Sequence, residues 1–340
     1  MKVLSARAAA LRLVGLAGLL LFVVALGVIA GPSALHPGDA FRALFGSLEA
    51  PAIEDIVWRV RLPRVALAAV VGAALAVSGV LFQALLRNPL ADPYVLGVSG
   101  GAAVGGILAL SFGPALGWGA SAVPPAAFAG ALLTTATLYG VSGTGGRVSA
   151  HHLLLTGVVF NAFASAGIVF MASLSGLTEG TSLFLWLIGS LSSVRADAAP
   201  IVAGFLFLGL GCALPLLRDL NLLVLGEESA AQLGVEVGRL QRLLLLSTSL
   251  MVGAAVAVAG LVGFVGLIVP HLLRLRFGPD HRLLLPAAAL SGAAFLVLSD
   301  TVARSAFGGR ELPVGAITAL VGGPLFLYLL RRNRAGSFPS

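Results

Sequence analysis

An all-α integral membrane protein with ten transmembrane helices is the fold the sequence predicts, and three observations predict it. The 340 residues are 58% hydrophobic and 10% charged, whereas an ordinary soluble domain is about 25% charged. Apolar runs recur along the whole chain at lengths near the roughly 20 residues that cross a bilayer core. Those runs are continuous, which selects helices over closed barrels, the only two structures that satisfy every backbone group inside lipid. Nothing is left over for a soluble unit, so residues 1–340 read as a single transmembrane domain.

The expected spans are 11–31, 63–86, 95–113, 121–141, 151–175, 198–217, 239–261, a short 263–277, 283–307 and 313–332. Lys2, Arg7 and Arg12 precede the first run, which exceeds the roughly 7–15 residues of a signal-peptide core and so reads as a retained span. Pro89 and Pro93 end the second span and start the third. In the third, Gly97, Gly101 and Gly105 recur every fourth residue, with Ala109 and Gly113 on the same stripe. Small residues at that spacing let a neighbouring helix approach closely, so this is a helix-packing face. The fifth carries Thr156, Asn161 and Ser165, followed by Ser173, Ser175, Thr178, Glu179, Thr181 and Ser182. Hydrogen bonding between helices and lining of a water-filled passage both account for such polar groups. The eighth is short and ends in Pro270, His271 and two arginines, and the ninth holds Asp300 one turn before Arg304, an i,i+4 pair.

Charge sets the topology, because Lys and Arg are retained in the cytoplasm. With ten spans and an inside N-terminus, fourteen basic residues fall on one side and seven on the other, namely Arg42, Arg59, Arg61, Arg64, Arg195, Arg304 and Arg310. Both termini and the stretch 218–242 are thereby expected in the cytoplasm. The net charge of +7 then needs no nucleic-acid partner. Cys212 is the only cysteine, so no intrachain disulfide forms. Lys2 is the only lysine, so the chain lacks the phosphate-cradling loop and its lysine. Any use of ATP must come from another subunit. His36, His151, His152, His271 and His281 have no carboxylates at ligand spacing, and no metal or catalytic site is expected. Asp300 is the only acid well inside a span, which counts against an ion-coupled secondary carrier.

The polar stretch from Arg218 to Arg242 stands out in a chain otherwise suited to lipid. Gly226 and Gly234 bracket a short helix-like piece, Glu227 to Leu233, whose acidic start suits the positive end of a helix dipole. A docking element for a soluble partner and a solvated loop between spans are the two accounts of it.

Residues 61–100, RLPRVALAAVVGAALAVSGVLFQALLRNPLADPYVLGVSG, closely resemble the signature region of the FecCD-type permeases, membrane subunits of type II ABC importers for iron chelates, haem and cobalamin. The segments 225–235, 260–286 and 300–330 resemble the same family in the same order. The resemblance implies ten helices, a homodimer around one passage, two ATPase subunits below that bind the ATP and magnesium, and a periplasmic or lipid-anchored substrate-binding protein above, all at a bacterial inner membrane. It implies that Leu225, Gly226, Glu227, Ala230, Leu233 and Gly234 carry the contact with the ATPase. It also implies that Arg61, Arg64 and Arg304 meet glutamates of the binding protein; interfacial snorkelling is the alternative. The matching passage elements are about 153–175 and 180–195, with Asn161, Ser165 and Trp186 as pathway or gate positions. Iron chelates are the expected cargo, with cobalamin as the close alternative.

Overall fold

The computed structural model describes residues 6–31, 35–46, 50–144, 147–174, 186–192, 197–306 and 311–334. Helix α1 is Ala6–Ile29, α2 Pro37–Leu44 and α3 Pro51–Asp55, which winds through a π-helical stretch, Ile56–Arg61, into α4, Leu62–Leu85. A 3₁₀ turn at Pro93–Leu96 leads to α5, Val98–Phe112, and then α6, Val123–Ser142. The strands β1, Gly143–Thr144, and β2, Arg147–Val148, pair antiparallel before α7, Ala150–Leu174. There follow α8 Ala198–Ala213, α9 Leu217–Leu223, α10 Glu227–Gln232, α11 Val237–Ala259, α12 Val265–Phe277, α13 His281–Ser305 and α14 Val314–Arg334. Each of the ten expected apolar segments contains a helix. Six helical stretches, Ala6–Ile29, Pro51–Leu85, Ala150–Leu174, Ala198–Leu223, Val237–Ala259 and His281–Ser305, are long and apolar enough to cross a membrane. The chain is a multi-pass membrane protein.

Helix α4 lies at the centre, packed on α8, α11, α12 and α13. It is apolar on every face, and from Val71 to Leu85 every residue is buried, as an all-round apolar helix must be inside a bundle. Glycine sets its closest approaches. A methyl group on Gly72 would collide with the carbonyl of Gly292 on α13, and one on Gly79 with the carbonyl of Gly266 on α12. That second contact has a local cause. Pro270 has no N–H to offer four residues back, so the Gly266 carbonyl is left open. The Gln83 side-chain amide points at it and at Leu267 O, 3.5 and 3.3 Å away, while Gln83 Oε1 accepts from Arg274 at 2.9 Å. Helix α12 therefore continues through Pro270 to Phe277 instead of ending there.

The stripe expected on the third span divides in two. Gly101 and Gly105 face α6, where added methyl groups would strike Thr134 and the carbonyls of Gly130 and Ala126. Gly97 precedes the helix, at φ +83°, and makes the left-handed turn that starts it beside Phe160 of α7. Its role is conformational rather than facial. At the far end of α6, Gln241 of α11 clamps the hairpin. Its Oε1 accepts from Val148 N at 2.9 Å and its Nε2 donates to Val148 O at 3.1 Å.

The end of α4 closes in a Schellman arrangement. Arg87 N donates to Ala84 O at 3.2 Å and Asn88 N to Gln83 O at 3.1 Å. The left-handed position belongs to Arg87, at φ +50°, where a residue with a side chain pays roughly 1–2 kcal/mol.

Gly79→Ala should destabilise the protein by about 1–3 kcal/mol, since the overpacked atom is backbone and cannot rotate away. Gly204→Ala on α8, with open space at its Cβ, should change stability by less than about 0.5 kcal/mol. Thermal unfolding of the two variants in the same detergent measures the difference.

Candidate functional site

The two ends of α4 carry the charged groups. About 24 residues at 1.5 Å each separate them by roughly 36 Å. At the first end, Asp300 of α13 is 1% exposed and accepts from two arginines. Arg64 Nε and Nη2 lie 3.1 and 3.0 Å from Asp300 Oδ1, and Arg304 Nε lies 3.2 Å from Oδ2. Arg64 Nη1 also reaches Glu311 at 3.0 Å, a carboxylate 37% exposed. The remaining donors cover the end of α1. Arg61 Nη1 donates to Val28 O and Ile29 O at 3.0 and 2.6 Å, and Arg304 donates to Ala30 O at 2.6 Å and to Gly27 O. Carbonyls at a helix C-terminus have no partner within their helix and carry partial negative charge, so guanidinium groups satisfy both needs there.

This corrects the expectation that Arg61, Arg64 and Arg304 are presented outward. They are 3, 7 and 2% exposed and engaged within the chain. Snorkelling does not describe them either. The expected Asp300–Arg304 pair is present, but its third member, Arg64, lies 236 residues away in sequence.

At the other end, α9 and α10 form a projecting corner. Gly226 and Gly234, at φ +108° and +89°, flank α10. Ala230 is fully buried beneath it and accepts from Leu233 N and Val235 N. Leu225 and Leu233 stand out, 62 and 56% exposed. Such apolar side chains at the two ends of a short acidic helix form a small knob that a complementary cleft can cover. Glu227 opens the helix and pairs with Arg87 at 3.0 Å. Asn221 on α9 fastens the corner to the start of α13. Its Nδ2 donates to Asp280 Oδ1 at 2.8 Å and its Oδ1 accepts from His281 N at 2.9 Å. Burial opposes ionisation of Asp280, but donation from Arg282 N and Asn221 and the nearby Arg282 charge outweigh it and hold the carboxyl below its ordinary range. Arg87, Asn221 and Asp280 were not singled out from sequence. Only the unusual Arg at a glycine-type turn position could have flagged the first.

The pathway residues lie along α5 and α7. Asn161 Nδ2 donates to Tyr94 O at 2.9 Å and its Oδ1 lies against Gly100, while the Trp186 ring covers Gly106 one and a half turns further along α5. Ser165 is exposed on α7, one turn after Asn161 on the same side of the helix. Of the expected element at 180–195, residues 180–185 and 193–195 lie outside the described residues, as do Ser175, Thr178, Glu179, Thr181 and Ser182. Tyr94 links this region to the loop before α12, its hydroxyl accepting from Val262 N at 3.0 Å. Burial, with Asp92 nearby, raises the phenol's pKa. Asp92 caps the 3₁₀ turn by accepting from Tyr94 N at 2.9 Å.

Asp300→Ala should cost about 3–5 kcal/mol, because it strands two buried guanidinium groups. Glu311→Gln, at the more exposed partner, should cost about 1 kcal/mol or less. Unfolding of both variants in detergent tests the ranking. Burial lifts the Asp92 carboxyl to about 6, against the opposing pull of the Tyr94 N–H. The folded state therefore binds this proton more tightly than the unfolded chain. Stability should rise as pH falls from 7.5 to 5, and Asp92→Asn should flatten that part of the melting-temperature profile.

Residues 19–332 match the FecCD transport family. The chain is 47% identical over 276 residues to the cobalamin import system permease protein BtuC of Halobacterium salinarum, covering 81% of this chain and 73% of the relative. It is 44% identical over 301 residues to the hemin transport system permease protein HmuU of Yersinia pestis, covering 87 and 89%. A solved structure of a metal-chelate type ABC transporter in an inward-facing conformation superposes with a TM-score of 0.82 at 32% identity, covering 95% of this chain and 99% of that one. The protein is a permease subunit and not itself an ATPase, and its helical fold is that of type II ABC importer permeases. On the strength of the match along nearly its whole length, the chain belongs to the FecCD transport family.

Proposed function

We propose that two copies of this chain form one passage for a metal chelate across a bacterial inner membrane, with ATPase subunits beneath and a substrate-binding protein above. Both termini and the α9–α10 corner face the cytoplasm in this reading. The observation that supports it best is the corner itself: Leu225 and Leu233 are exposed at the two ends of a short helix flanked by the positive-φ glycines 226 and 234, at the end of the bundle opposite the buried arginines. An apolar knob on rigid supports suits a cleft in a soluble subunit. The apolar face of α7, with Val158, Val159, Phe163 and Phe170 exposed, is the surface for the second copy.

The cargo is an iron chelate, a ferric siderophore or haem, and the hemin permease relative supports that class. Cobalamin is the second reading, favoured by the 47% identity to a cobalamin permease. With their guanidinium groups already satisfied, Arg61, Arg64 and Arg304 support binding-protein docking from beneath, by fixing α1, α4 and α13 relative to one another. Asn161, Ser165 and Trp186 remain the pathway positions. Asn161 and Trp186 hold α5 against its neighbours, and Ser165 lies on the outward face of α7.

The test is reconstitution with the cognate ATPase and binding protein in liposomes. Leu225→Ser with Leu233→Ser should leave the permease folded and reduce ATP-driven uptake at least about tenfold, as loss of a small interface's central apolar contacts does. Wild-type uptake in that variant would remove the corner from the coupling route. Uptake by the permease alone, driven by a pH gradient, would instead establish a secondary carrier. Competition among labelled haemin, ferric siderophore and cobalamin in the wild-type assay assigns the cargo.

A further inference from the structure

Arg87 occupies the left-handed position after α4, which ordinarily takes glycine. Among the described residues only Phe264 shares a positive φ without being glycine, and its ring packs on Gly322 of α14. A side chain kept at a strained backbone position points to a use for what it reaches. Arg87 reaches Glu227, the first residue of α10, with Nη2 3.0 Å from Oε1 across 140 residues of sequence. The two side chains are 40 and 23% exposed. They form one wall of a cleft of about 460 Å³ whose other walls are Ser142, Val148, Ser149, Ala150 and His151. The end of α4, the hairpin leading into α7, and α10 thus meet at this ion pair.

Flanking glycines would otherwise leave α10 free to pivot. Gly226 and Gly234 both lie in glycine-type conformations, with nothing within 4 Å of where a Cβ would sit. A displacement of α10 would be absorbed at those two points unless something carried it inward. The residue after Arg87 starts the turn that does so. Asn88 Oδ1 accepts from Leu90 N, Asp92 Oδ1 accepts from Tyr94 N, and Tyr94 holds Asn161 of α7 through its carbonyl and Val262 through its hydroxyl.

We propose that Arg87 is a positioning residue for energy coupling, whose ion pair with Glu227 transmits displacement of α10 to the buried helix α4 and the turn that follows it. This rests on the reading of α10 as the ATPase contact. The glycine-type backbone explains why the pair can be tested without unfolding the turn. Arg87→Gly keeps the left-handed conformation and relieves its strain, so thermal stability should equal or exceed that of the wild type.

The experiment measures labelled haemin or cobalamin taken up per ATP hydrolysed, in proteoliposomes containing the whole complex. Arg87→Gly and Glu227→Gln should each lower that ratio about two- to five-fold, the range of a half-exposed ion pair. The exchanged pair, Arg87→Glu with Glu227→Arg, should recover most of the loss. A purely structural role would change melting temperature and leave the ratio alone. A wild-type ratio in Arg87→Gly overturns the proposal, and so does an exchanged pair that recovers nothing. Leu233→Cys in a Cys212→Ser background separates the two readings. No cross-link from it to the ATPase means that α10 is not the contact, whereas a cross-link together with a wild-type ratio in Arg87→Gly defeats this inference alone.

Discussion

Backbone-to-backbone approach at the glycines of α4 is the constraint on which the rest of the bundle depends. In lipid, burying leucine against leucine gains little, because the surrounding acyl chains are equally apolar, and close packing has to hold helices together. Gly72 against Gly292 and Gly79 against Gly266 bring α4 into direct contact with α13 and α12. The second contact depends on a proline. Pro270 opens the Gly266 carbonyl, and Gln83 directs its amide there while also holding Arg274. A polar side chain deep in the bundle thus solves a backbone problem created on a neighbouring helix.

A rigid central helix makes its two ends mechanically related. At one, Asp300 gathers Arg64 and Arg304, and the spare donors of Arg61 and Arg304 close the open carbonyls of α1. Desolvating so many charges is tolerable only because nearly every donor has an acceptor. At the other, the turn after α4 contacts both the projecting corner and, through Tyr94, the helix carrying Asn161. Transport by alternating access needs bodies that move as units and a few joints that do not resist. The described residues contain both: tight glycine contacts inside, and the unobstructed glycines 226 and 234 at the corner.

Exposure has to be judged against the solvent. Phe22 on α1 and Phe163 on α7 are 66 and 75% exposed, which in water would mark aggregation. In a bilayer such faces meet acyl chains or another helix. The corner differs, because Leu225 and Leu233 belong to a segment rich in charge and lie beyond the apolar spans. Apolar groups in that setting gain by being covered by protein.

Composition and run length determined the helical membrane class and the approximate position of the helix in each apolar run, because bilayer thickness and backbone hydrogen bonding act on the local chain. The bracketing of α10 by Gly226 and Gly234 was legible for the same reason: helix ends and left-handed turns are local events. Tertiary structure alone decided the partners of the charges. Arg61, Arg64 and Arg304 look like surface hooks until Asp300 and the end of α1 are brought to them, and the Arg87–Glu227 pair joins residues that no spacing rule relates. It also separated Gly97 from Gly101 and Gly105, since a four-residue repeat is blind to where a helix begins. Periodicity reports one element's own geometry, while an ion pair or a carbonyl contact depends on where a second element lies, and that is settled only when the helices pack.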